Sequence, residues 1–283
     1  MRVAGVELAN VSQLAGGDIC DAWRGSMSGR IVFAKTIRAA PVGFFEAEAR
    51  GLSLLDVEGG PPVAEVVAVA ADGLVLEWIE RGPPTRATAE DFGRQLAVMH
   101  AASLPAFGAN VDGFIGSLPL PNASRASWPQ FYVDQRILPY LKALSSDERG
   151  AVELVCEGID EIAGAPEPPA RIHGDLWSGN LVWTSNDVRL VDAASAHGGH
   201  RETDLAMLQL FGVPHFEAIL TSYQGVSPLA DGWRQRVSLH QLHPLLVHAT
   251  LFGGGYGAQA AAAARAALAA RPARVAPPAR VIE

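Results

Sequence analysis

The segment His173-Gly174-Asp175-Leu176-Trp177-Ser178-Gly179-Asn180, followed by the run Val188-Arg189-Leu190-Val191 and then Asp192, constrains this chain more than any other stretch. An Asp, an Asn five residues on and a second Asp at the end of the next apolar run predict two strands around a loop across 171–192. That order suits phosphoryl transfer, which needs positioning and charge neutralisation more than covalent help. Asp175 is the candidate acceptor of the attacking hydroxyl's proton. Asn180 and Asp192 offer an amide oxygen and a carboxylate that could hold Mg²⁺ against phosphates. Each residue alone reads as a turn former or a strand-end cap; the three in this order carry the chemical reading.

Such a loop requires a phosphate-binding partner elsewhere, and the first eighty residues offer one. Residues 6–37 read as strands joined by turns, with Arg30 to Ile37 a β-branched apolar run. It carries Lys35, one of only two lysines against twenty arginines. Where nearly every cation is Arg, a retained Lys suggests a need for a compact ammonium, here on the α and β phosphates of a nucleotide. Gly16 and Gly17 lie in the turn between the first two strands, where backbone N–H groups could approach phosphate. From Pro41 a helical pattern begins, FFEAEARGLSLL over Phe44 to Leu55. It offers Glu46 and Glu48 as ion-pair partners of Lys35. Residues two apart point about 200° apart on a helix, so only one can face the lysine, and the pattern alone does not choose. Strands around Val63–Ala70 and Gly73–Glu77 follow, and Glu77 and Ile79 would meet an adenine edge through backbone groups.

After Gly82-Pro83-Pro84 the pattern turns helical: Thr88 to Ala102, Ser127 to Lys142, Ser146 to Ala163, then about 201–211, 214–224 and 231–252. The tail from Ala258 reads as a terminal helix giving way to an Arg- and Pro-rich irregular end. The expectation is an α+β chain with a small antiparallel β-rich nucleotide lobe, residues 1–80, and a larger, mainly helical lobe, residues 81–283, that carries the catalytic loop, metal site and substrate pocket. A formal net charge of −8 argues against bulk nucleic-acid binding. The longest apolar stretch, 61–79, is broken by Glu65, Asp72 and Glu77, so no membrane span is expected. Nor is a signal peptide, and two cysteines make no disulfide framework. A cytoplasmic protein is expected, with its oligomeric state open and a monomer acceptable.

The chain resembles the fructosamine-3-kinase, or ketosamine kinase, family within the kinase-like superfamily that includes aminoglycoside phosphotransferases. The resemblance rests on HGDLWSGN at 173–180, GHRETDLAMLQLFG at 199–212, FEAEARGL at 45–52, LEWIE at 76–80, DGFIGSLPLPN at 112–122 with Trp128, and PLLVHATLFGGGY at 244–256. It implies a two-lobed protein-kinase-like fold and ATP·Mg²⁺ in the cleft, and it selects Glu48 as the partner of Lys35. It also makes Trp177 a wall of the sugar pocket, His248 a substrate contact, and Asp204 a brace of the catalytic loop. The implied reaction is phosphorylation of O3 of a ketosamine, free or on a protein lysine, leading to deglycation. Two departures stand out: Asp192-Ala193-Ala194 replaces the usual Asp-Pro-Ala, and His197-Gly198 replaces an aromatic pair.

Alternatives are an aminoglycoside, choline or amino-alcohol kinase, and a silent nucleotide-binding regulator. HGDLWSGN argues against the first group, and the intact set of Lys35, Asp175, Asn180 and Asp192 against the last. His197 with His200, and His240 with His243, have a zinc-compatible spacing, but no third or fourth ligand is evident and a structural role is expected. Cys20 is read as an inert small residue.

Overall fold

Alternation in the first eighty residues builds a five-stranded antiparallel sheet. The chain opens with a small hairpin, β1 (Arg2–Val3) and β2 (Val6–Glu7), followed by β3 (Ala9–Leu14), β4 (Asp21–Met27) and β5 (Arg30–Thr36). Helix α1 (Phe44–Leu55) intervenes before β6 (Val66–Ala70) and β7 (Gly73–Glu77). The sheet order is β3-β4-β5-β7-β6. This computed structural model describes residues 1–15 and 19–270. The two-residue period sorts the faces. Val32, Ala34 and Val75 point to one side, where Val3 and Leu8 cover them. Leu74 and Leu76 point to the other and pack on Phe45, Leu52 and Leu55 of α1. Lys35 lies opposite Leu74 in register, so alternation turns it towards α1.

The remainder is mostly helical: α2 (Arg86–Ala101), α3 (Trp128–Phe131), α4 (Ser146–Glu157), α5 (Ile159–Ile162), α6 (Glu202–Phe211), α7 (Phe216–Val226), α8 (Trp233–Phe252) and α9 (Tyr256–Ala269). A hairpin of β8 (Gly113–Ile115) and β9 (Leu118–Leu120) precedes α3. Strands β10 (Ala170–Ile172), β11 (Leu181–Trp183), β12 (Val188–Leu190) and β13 (His197–Gly199) surround the His173–Asn180 loop and the turn at Asp192. Two cores result. One joins Trp128, Phe131 and Tyr132 to α4, α8 and α9. The other runs from α1 and β7 through Phe92 and Leu96 of α2 to Leu181, Leu190 and Leu205. The sheet and strands β11 and β12 therefore share one core.

Three expectations are corrected. The stretch 127–142 is not one helix. After α3 the chain widens into a π-helical turn at Tyr132–Ile137 and tightens to 3₁₀ at Leu138–Ala143. Pro139 has no N–H and cannot continue the α ladder. The stretch 146–163 breaks at Gly158, between α4 and α5. Across 171–192 there are three strands, not two: β11 pairs with β12, while β10 pairs antiparallel with the more distant β13. The expected 214–224 and 231–252 helices appear as α7 and α8, each starting two residues later. Among the described residues no helix is long and apolar enough to cross a membrane.

Candidate active site

The loop between β10 and β11 is held from behind by Asp204, in the first turn of α6. Its carboxylate accepts the backbone N–H of His173 at 2.8 Å and that of Gly174 at 2.9 Å, and it meets His100 Nε2 at 3.2 Å. Burial would raise the Asp204 carboxyl, but the His100 hydrogen bond and charge outweigh it and hold it below the ordinary aspartate value. His173 ties this loop to the next strand. Its Nε2 donates to the Val191 carbonyl at 2.8 Å and its Nδ1 accepts from the Asp175 N–H at 3.3 Å. Gly174 needs its φ of +78°, and a Cβ there would sit 2.6 Å from the Ser195 carbonyl oxygen.

On this frame Asp175 and Asn180 face each other. Asn180 Nδ2 donates to the Asp175 backbone oxygen at 2.8 Å and to its carboxylate at 3.2 Å. With Nδ2 committed to Asp175, the amide oxygen is the atom of this side chain left to accept. Burial in the cleft pushes the Asp175 carboxyl above the usual range; nearby His173 opposes this and Asp192 adds to it. Asp192 follows β12 in a left-handed conformation, φ +58°, which Asp tolerates better than most residues. Its side chain remains 47% exposed.

The sheet contributes the cation. Lys35 Nζ is 2.9 and 3.0 Å from the two carboxylate oxygens of Glu48 and is ion-paired with Asp192 as well. Burial would lower the ammonium, but the Asp192 and Glu48 carboxylates outweigh it and hold it above the ordinary lysine value. Glu48 also accepts the Asp192 N–H at 3.3 Å. Glu46, by contrast, makes no contact with Lys35: one of its carboxylate oxygens is buried without a hydrogen-bond partner. The helix faces Lys35 with Glu48, the choice that the resemblance implied.

Other expected positions distribute as follows. Gly16 and Gly17 lie outside the described residues. Glu77 closes β7 and its side chain pairs with Arg189 of β12 at 2.9 Å, bridging the sheet to the β11–β12 hairpin. Ile79 is half-buried against the shared core. Trp177 is 40% exposed beside Asp175. Its ring lies over Gly179, where a Cβ would overlap it, which accounts for the glycine in the octet. His248 is half-buried and packs against Phe211, which in turn meets Trp177. Burial pushes the Cys20 thiol up to about 11, so it remains protonated near neutrality.

Several contributors carry no sequence signal of their own. A Cβ at Gly51 would overlap the Ala193 carbonyl, so α1 rests directly on the backbone after Asp192. The Asp192-Ala193-Ala194 turn has no proline to stiffen it. It is held instead by that contact, by Phe114 N–H to Ala194 O at 3.1 Å, and by Ala196 N–H to Ala193 O at 3.0 Å. At the second departure, Gly198 exchanges backbone hydrogen bonds with Gly108, and a Cβ on Gly198 would overlap the Ala106 carbonyl. The two His-x-x-His pairs split: His200 and His240 converge on Glu202, a set with metal-compatible spacing. It reads as a hydrogen-bonded brace. His200 Nδ1 already accepts the Glu202 N–H at 3.2 Å, and Arg236 binds both Glu202 oxygens at 2.6 and 2.9 Å.

A lysine clamped by a helix glutamate, an Asp–Asn loop and the exposed Asp192 carboxylate make an arrangement suited to a nucleoside triphosphate and an acceptor hydroxyl. The fructosamine kinase family model matches residues 2–270. A probable ketoamine kinase of Thermus thermophilus is 36% identical over 258 residues, covering 90% of this chain and 94% of the relative. The chloroplastic protein-ribulosamine 3-kinase of Arabidopsis thaliana is 30% identical, covering 90% and 81%. A crystal structure from Thermobifida fusca, assigned to the fructosamine-3-kinases, superposes with a TM-score of 0.89 at 46% identity over 94% of this chain and 96% of that one. An aminoglycoside phosphotransferase at 15% identity and TM-score 0.63 shares the protein-kinase-like fold alone. With a family model matching residues 2–270, and relatives at 36% and 46% identity over nine-tenths or more of the sequence, this chain belongs to the fructosamine kinase family.

Proposed function

We propose that this enzyme transfers the γ-phosphoryl group of ATP to the O3 hydroxyl of a ketosamine, the adduct of a sugar with an amine or a lysine side chain. The observation that supports it is the Asp175–Asn180 pair set against Lys35, Glu48 and Asp192, in a chain of this family. The nucleotide is read as lying between the N-terminal five-stranded sheet and the helical region that follows it, with Glu77 and Ile79 at its adenine edge. Asp175 accepts the O3 proton as the O3–phosphorus bond forms and the bond to the ADP leaving group breaks. A desolvated carboxyl with a raised pKa is a better proton acceptor than an ordinary one. Lys35 positions the phosphates, and Glu48 holds its ammonium in place. Asn180 and Asp192 present only oxygens, a donor set that fits Mg²⁺. The ion, when bound, neutralises charge on the phosphates. Trp177 and His248 flank the acceptor side of Asp175.

The consequence follows from carbonyl chemistry. Enolisation across C1 and C2 of the product makes C3 allylic, so the O3 phosphate leaves with its bonding electrons and hydrolysis then frees the amine. The test incubates ribulose- and fructose-derived adducts of lysine with ATP and Mg²⁺, alongside choline and kanamycin. ADP formation, a mass gain of one phosphate and later recovery of unmodified amine are expected for the adducts only. Turnover of kanamycin or choline without any adduct would move the enzyme to another branch of the superfamily.

A further inference from the structure

Beyond the transferred phosphate, the acceptor side of the cleft carries an aromatic array that the phosphoryl chemistry does not use. Helix α8 stops at Phe252 because Gly253 and Gly254 adopt φ of +64° and +61°. Helix α9 then begins at Tyr256. This turn sets Phe252 and Tyr256 around His248, with ring centroids 5.5 and 5.0 Å away. Phe211, at the end of α6, closes a third side at 4.8 Å and meets Trp177 at 6.3 Å. The array therefore runs continuously from the residue two past Asp175 to the α8–α9 turn.

Two details give the array a chemical direction. His248 Nδ1 lies 2.8 Å from the Pro244 carbonyl oxygen. A carbonyl only accepts, so Nδ1 carries the proton and the Nε2 of the neutral ring presents a lone pair. Phe252 is 59% exposed, although its neighbours His248 and Tyr256 are half-buried. An aromatic face left to water beside a fixed acceptor, and joined through Phe211 to Trp177, is suited to a cation that also carries an N–H.

We propose that Phe211, His248, Phe252 and Tyr256 form a subsite for the protonated nitrogen of the acceptor and the group attached to it, with the aromatic faces taking the ammonium and His248 Nε2 accepting one of its hydrogens. This rests on the ketosamine reading, because O3 and the nitrogen then belong to one small molecule and are held at opposite ends of one cleft. The subsite makes charge on the nitrogen, rather than the identity of the sugar, a determinant of acceptor affinity.

The test compares wild type, Phe252→Ala and Phe252→Trp on the fructose adduct of lysine and on its N-acetylated counterpart, which keeps O3 but loses the charge. The counterpart is assayed as substrate or as inhibitor against the charged adduct. Phe252→Ala should raise KM for the charged adduct roughly 3- to 30-fold, the span of a partly desolvated cation–π contact. It should leave kcat, KM for ATP and the affinity for the neutral adduct near wild type, and Phe252→Trp should retain the preference for charge. Equal effects of Phe252→Ala on both adducts, or no effect on either, would overturn the subsite alone. No turnover of the charged adduct by wild type would overturn the ketosamine reading and the subsite with it.

Discussion

Lys35, Glu48 and Asp192 form a charge cluster whose value lies in position rather than stability. Buried ion pairs repay their desolvation only with good geometry, and here one ammonium serves two carboxylates. Replacing Glu48 by Gln should raise KM for ATP and lower kcat, because Lys35 loses the partner that aims it. Glu46→Gln should leave both near wild type; the reverse ranking in steady-state kinetics would mean that α1 presents its other face. The two aspartates should separate in the same way. Asp175→Asn keeps the nucleotide pocket, so calorimetric nucleotide affinity should survive while kcat falls by roughly two to four orders of magnitude. Asp192→Asn removes an oxygen donor and should raise the Mg²⁺ concentration needed for half-maximal rate. If both variants lose nucleotide binding equally, this division of labour is wrong.

At the level of elements, the decisive contact is α1 on the backbone of residues 192–194. Glu48 and Gly51 are three apart and share a face. One residue grips Lys35 while the other admits the helix to the turn. Gly51→Ala therefore has two opposed effects. Alanine favours a helix interior by about 1 kcal/mol, but its methyl group must displace the Ala193 carbonyl, and overpacking of that kind costs about 1–3 kcal/mol. The expected result is a folded enzyme with a raised KM for ATP and a raised Mg²⁺ requirement. Gly150→Ala, where a Cβ meets nothing within 4 Å, is the matched control. If Gly51→Ala has unchanged kinetics, α1 is not seated through this glycine.

Across the whole molecule, the helical core holds histidines that burial keeps neutral. His197 is pushed down to about 3 by burial, with the Arg136 cation adding to the effect. His200 and His243 are pushed well below their ordinary value of 6.5, again chiefly by burial. The unfolded chain therefore takes up protons below pH 6.5 that the folded one refuses. Stability is full above that pH and is lost as the pH falls, at up to about 1.4 kcal/mol per pH unit for each such histidine. Burial would raise the Glu202 carboxyl, but His240 and Arg236 beside it hold it down at about 2, which adds a second loss below pH 4.5. Denaturant midpoints should be level above pH 6.5 and fall steeply between pH 6.5 and 5. A flat profile would show that these histidines protonate in place.

Much of this was legible in residue order. A local pattern reports local structure, so RIVFAKTI, FFEAEARGLSLL and the Asp175–Asn180–Asp192 spacing announce a strand, a helix and a phosphoryl-transfer loop without any fold. Family likeness added Glu48, because only a three-dimensional precedent says which helix face meets the strand. The remainder depends on contacts between distant segments, which no single stretch encodes. The pairing of β10 with β13 joins residues with a whole hairpin between them. Gly51 is an ordinary helix glycine until the Ala193 backbone lies against it. His200 and His240 come from different His-x-x-His pairs and meet only because α6 and α8 bring them together. Phe252 is an unremarked helix end until the turn after α8 sets it beside His248. Periodicity and spacing determined which elements form and which chemistry they carry; long-range packing decided which of those residues face one another.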